Sequence, residues 1–129
     1  YLGQFPAQVF DKINENFIRC SFFELCSRYL SSCYTFAIEQ NNSAGRSDFE
    51  MTGIPGTDYY KDDRLAEFKY FKAKEAERML ALSDPRPEDV AQVLAYAKDT
   101  KVKFPHYHVR SYIVYICANK GWKCWEVTP

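Results

Sequence analysis

The chain has 129 residues, 47% of them apolar and 17% aromatic, which is enough for one domain with a buried core and too apolar for a disordered one. Its 17 Lys and Arg balance its 17 Asp and Glu, so it does not hold nucleic acid by overall field strength, although a local basic patch is still allowed. With no run of about 18 apolar residues and no basic-then-apolar leader, neither a membrane span nor a secretory signal is expected.

Taken in order, "AQVFDKINENFIRCSFFELCSRYLSS" repeats apolar residues at spacings of three and four, from Val9 and Phe10 to Cys26 and Tyr29, and reads as a long amphipathic helix. "CYTFAIEQ" alternates as a strand, and "NNSAG" is turn chemistry. "RSDFEMTG" alternates again, with Phe49 and Met51 on one face and Asp48 and Glu50 on the other. "IPGTDYYKDD" reads as a loop. The strand "RLAEFKYF" follows, with Ala66, Phe68 and Tyr70 on one face and Leu65, Glu67 and Lys69 on the other.

"KAKEAERMLAL" is helical until Pro85 and Pro87 break it, and "PEDVAQVLAYAKDT" starts a second helix with Pro87 near its N-terminus and acids in its first turn. "VRSYIVYICA" is the most β-prone run and reads as a buried central strand; "NKGW" then turns into a last strand, "KCWEVT". The order describes an α/β domain with a sheet flanked by helices. The cysteines at positions 20, 26, 33, 117 and 124 fit neither a disulfide framework nor a paired zinc site, so they are expected to be reduced and the compartment cytoplasmic. In the helical and apolar runs, Cys20, Cys26 and Cys117 read as small hydrophobes. Residues 1–129 are expected to form a single domain, and a start at Tyr1 rather than Met reads as a fragment of a larger chain.

A symmetric hairpin centred between Thr57 and Asp58 sets Asp48 opposite Glu67 and Gly53 opposite Asp62. Like charges directly opposite each other are destabilising and are better tolerated with a cation between them. Lys69 projects to the same side as Glu67, roughly 7 Å along the strand. Two carboxylates with solvent oxygens suit Mg²⁺, and a neighbouring lysine suits the orientation of water and the stabilisation of charge at phosphorus.

"GRSD…EFKY" resembles the signature of the PD-(D/E)XK nuclease superfamily, most closely the C-terminal domain of bacterial AAA-ATPase-like proteins, and the likeness runs from "NENFIRCSFFELCSRYL" to "YIVYICANKGWKCWEV". The resemblance implies a restriction-endonuclease-like core: a mixed central sheet flanked by helices, in the order α-β-β-β-α-β with an extra C-terminal strand. It also implies catalytic roles for Asp48, Glu67, Lys69 and Gln92, with Tyr96 one turn beyond Gln92. Asp48, Glu67 and Glu15 are the implied ligands for Mg²⁺ or Mn²⁺, with the Phe68 carbonyl a further donor. The implied partners are DNA or RNA and an N-terminal ATPase domain in the parent chain. In place of the superfamily's proline, Ser47 precedes Asp48, and the segment between Lys69 and Gln92 is long and broken by prolines.

The expected function is metal-dependent hydrolysis of nucleic-acid phosphodiester bonds. The alternatives are a catalytically silent nucleic-acid- or partner-binding module of the same fold that serves the ATPase domain, and a purely structural dimerisation domain. Away from the hairpin the plainer readings hold. Glu39 and Glu50 read as solvent-facing strand residues, with Glu39 a fallback acid; His106 and His108 read as surface histidines; Lys98, Lys101 and Lys103 read as a solvated helix end. Trp122 and Trp125 read as packing residues. Arg46 fits equally a turn-anchoring salt bridge or a contact to a site acid or a phosphate.

Overall fold

A computed structural model describes residues 15–42 and 45–129, and the side chains of residues 20–37 and 49–129. Its elements in chain order are α1 (Glu15–Leu30), β1 (Tyr34–Asn42), β2 (Gly45–Gly53), β3 (Asp62–Phe71), α2 (Ala73–Leu80), α3 (Pro87–Lys103), β4 (His108–Cys117) and β5 (Gly121–Val127). The strands form one five-stranded sheet in the order β1-β2-β3-β4-β5. β3 and β4 are parallel and every other neighbouring pair is antiparallel, so the sheet is mixed and the link between the parallel strands runs through α2 and α3. This is the α/β architecture expected from the sequence.

Each face of the sheet has its own core. On one face, α1 sets Phe22, Phe23 and Cys26 against Phe49, Phe68 and Ile116. Phe22 meets Phe49 edge-on with ring centroids 4.9 Å apart and Phe68 at 5.1 Å, so a small aromatic cluster fixes the helix on β2 and β3. On the other face, Ala76 and Met79 of α2 and Val93 of α3 pack on Phe71, Ile113, Tyr115 and Cys117. Strand alternation therefore sends Phe68 to the α1 core and Phe71 to the α2–α3 core.

α3 starts as its sequence requires. Pro87 occupies the first turn with Glu88 and Asp89, while Lys101 and Lys103 lie in the last, a charge order that opposes the helix dipole. Its N-terminus is tied to β4 by buried Asp89, which accepts hydrogen bonds from the Tyr115 hydroxyl and, at 2.9 Å, from Arg86 Nε. Burial, foremost, and the hydrogen bond to Asp89 push the Tyr115 hydroxyl up from its ordinary range.

Several expectations need correction. Asn41 and Asn42 are paired in β1, opposite Arg46 and Gly45, so they belong to the ladder and not to a loop. β3 begins at Asp62, two residues inside the segment read as loop. β4 is buried but lies fourth of five, and the central strand is β3. Cys20 is exposed on α1, and all five cysteines are free thiols. Trp125 packs against Tyr115 at 5.0 Å as expected, whereas Trp122, on the opposite face of β5, is 68% exposed. The expected first helix begins N-terminal to the described residues, and the side chains of Glu15, Glu39, Arg46 and Asp48 also lie outside them.

Candidate active site

β3 carries the centre of the site. Its partner residues in β4 are Ile113 for Glu67 and Tyr115 for Lys69, both buried in the α2–α3 core, so the acid and the amine face that side of the sheet. The Glu67 side chain is 4% exposed and that of Lys69 21%, with Lys69 Nζ 3.4 Å from Glu67 Oε1. A carboxylate this deeply buried needs a positive partner, and the amine two residues along the same face supplies one.

The β2–β3 ladder has the register expected from the hairpin: Phe49 faces Ala66, Glu50 faces Leu65, Met51 faces Arg64 and Thr52 faces Asp63. Position 48 lies on β2 directly before these pairs, and Glu15 is the first residue of α1, the helix on the opposite face of the sheet. Gln92 is half-buried on α3, and its Nε2 donates to the Tyr96 hydroxyl at 2.7 Å, so the two meet one helical turn apart as expected. Tyr96 is itself buried.

Sequence reasoning missed a second pair of acids on this face. Asp63 is fully buried, and its Oδ2 accepts from Thr52 Oγ1 at 3.2 Å. Asp63 Oδ1 and Glu50 Oε2 are buried without a hydrogen-bond donor. Burial, first, and then the neighbouring Glu50 carboxyl push the Asp63 carboxyl up to about 9. A proton on Asp63 supplies a donor in this pair and removes one buried charge. Glu50 is thus no solvent-facing strand residue. It lines a cavity of about 270 Å³ together with Thr52, Thr100, Lys103 and Phe104. Continuing the alternation backward from Glu67 through Leu65 would have found Asp63, had "DD" not been read as the end of a loop.

The plainer readings of the other polar residues hold. His106 and His108 are exposed, as are Lys98, Lys101 and Lys103 at the end of α3. Among the described residues no three His, Cys, Asp or Glu side chains gather to hold a metal ion. The donors that are described are nonetheless of the right kind. Glu67 offers a carboxylate and Phe68 a backbone carbonyl, both hard oxygens suited to Mg²⁺. No described helix is long and apolar enough to cross a membrane.

A family model described as the PD-(D/E)XK nuclease superfamily matches residues 13–126. Neither a curated protein nor a solved structure matches the chain.

Proposed function

The chain belongs to the PD-(D/E)XK nuclease superfamily, and from that premise we propose that its 129 residues form one metal-dependent nuclease domain that hydrolyses phosphodiester bonds of DNA or RNA. The observation that carries this reading is the buried Glu67 carboxylate with the Lys69 amine 3.4 Å away, on a strand whose register with β2 is defined. The reading extends that ladder by one pair, Asp48 with Glu67.

Asp48 and Glu67, with Glu15 and the Phe68 carbonyl, would hold Mg²⁺ or Mn²⁺, which when bound polarises a phosphoryl oxygen. Lys69 orients the attacking water and stabilises charge on the phosphoryl oxygens as the water oxygen bonds to phosphorus and the ester oxygen departs. Gln92, steadied by Tyr96, contributes a hydrogen bond at the edge of the site. Five free thiols suit a reducing compartment, which supports a cytoplasmic placement. A parent chain with an N-terminal AAA-type ATPase domain remains part of the proposal. The second reading keeps this fold as a silent binding module for such a domain.

Glu67→Gln and Lys69→Met conserve side-chain volume. Each is expected to lower Mg²⁺-dependent cutting of an oligonucleotide at least about 100-fold, with the thermal midpoint within a few degrees of wild type. Equal residual cutting by all three proteins would assign the activity to a contaminant and reject the reading.

A further inference from the structure

The parallel pairing of β3 with β4 sets Asp62 beside His108, so the segments that lead into these strands, 54–61 and 104–107, emerge at the same end of the sheet. They meet through aromatic side chains. The Tyr60 ring lies edge-on to Tyr107 at 6.0 Å, and Phe104 lies 5.2 Å from Tyr107. Tyr60 remains 46% exposed and Phe104 38%, so both present ring surface to solvent. Lys61 Nζ sits 5.8 Å from the centre of the Tyr60 ring, and Lys101 Nζ donates to the Tyr107 carbonyl.

The acids at this end are largely engaged by partners, although the whole chain has zero net charge. Asp62 is engaged by Arg64 at 3.0 Å and by the Tyr34 hydroxyl, and Asp99 has Lys103 at 3.5 Å. Lys61, Lys101 and Arg110 make no ion pair among the described residues. Exposed Asp58 is the acid that remains on the 54–61 segment. Lys61 also holds a left-handed backbone, φ 73°, a conformation that Gly or Asn adopts with less strain.

Exposed rings interleaved with cations that no carboxylate neutralises form the surface on which unpaired bases stack while lysines and arginines meet the phosphates. We propose that this end of the sheet is a holding surface for single-stranded nucleic acid, with Tyr60 and Phe104 as stacking platforms and Lys61, Lys101 and Arg110 as phosphate contacts. The proposal deepens the nuclease reading, on which it rests. Asp62 stands five residues before Glu67 on β3, so a strand held here passes within about 16 Å of the candidate site.

Fluorescence anisotropy of a labelled 15-nucleotide oligo-dT in EDTA tests binding apart from cutting, and an oligo-U arm separates DNA from RNA. Tyr60→Ser and Phe104→Ser are each expected to weaken binding about tenfold. Lys101→Gln is expected to make the slope of log affinity against log salt shallower by about 0.7. Lys61→Gly relaxes the backbone while removing a cation, so affinity falls and the thermal midpoint does not, an outcome that a merely structural lysine would not produce. Undetectable binding by wild type, unchanged binding in these variants, or equal competition by poly-glutamate would overturn the proposal. So would duplex binding as tight as single-strand binding that is also insensitive to Tyr60→Ser. Cleavage of the p-nitrophenyl ester of thymidine 5′-monophosphate reports on the Glu67 site alone. Ester cleavage without oligonucleotide binding therefore rejects the holding surface and spares the nuclease reading, and the reverse result does the opposite.

Discussion

Asp63 shows how the sheet handles an acid that has no water around it. Its carboxyl is fully buried, and it is pushed up to about 9 chiefly by that burial and then by Glu50. An unfolded aspartate titrates near 3.9, so between about pH 4 and 9 the folded chain holds a proton that the unfolded chain has lost. Stability from this group is therefore full at the acid end and falls as pH rises through the window. Thermal melts between pH 5 and 8.5 should show the wild-type midpoint dropping and that of Asp63→Asn, a neutral isostere, staying flatter. Parallel pH profiles for the two proteins would show that Asp63 is ionised in the fold. Lys69 illustrates a different solution, in which an amine sits 3.4 Å from the buried Glu67 carboxyl.

At the scale of elements, the β2–β3 hairpin decides which residues can meet. Gly53 closes β2 where the chain folds over it, and a Cβ there would lie 1.6 Å from the Tyr59 carbonyl oxygen. Gly56 has open space around it but φ of +90°. Gly53→Ala must therefore move the backbone and is expected to cost about 3 kcal/mol or more in denaturant unfolding, against about 1 kcal/mol for Gly56→Ala. Equal costs would mean that the 54–61 segment does not lie on Gly53.

Much of this hairpin was legible in the sequence. The alternation of Phe49 and Met51 with Asp48 and Glu50, and of Phe68 with Glu67, assigns the faces, and the length of the connecting segment assigns the register. What alternation cannot show is what covers a face. Glu50 and Glu67 share one signature, yet Glu50 proves to line a cavity beneath the end of α3. Trp122 and Trp125 differ for the same reason, since the Ser83 carbonyl and Tyr115 receive Trp125 on the helix-covered side while Trp122 stays exposed. Asn41 and Asn42 have the chemistry of a turn but continue the β1–β2 ladder, opposite Arg46 and Gly45.

For the whole molecule, the mixed sheet brings the two proposed functional regions onto one strand. β3 has the Glu67–Lys69 pair in its second half and the aromatic and basic cluster at its entry, and α3 spans the same distance from Gln92 to Lys103. A neutral chain attracts a polyanion through local cations whose neighbouring acids are already engaged, as Asp62 is by Arg64 and Asp99 by Lys103. The central claim is that Asp48 and Glu67, from neighbouring strands, close on a common ion. Calorimetric titration of Mn²⁺ into wild type, Asp48→Asn and Glu67→Gln tests it most directly. The account predicts saturable binding by wild type and affinity at least about tenfold weaker in each variant; no binding by wild type, or undiminished binding in both variants, would contradict it.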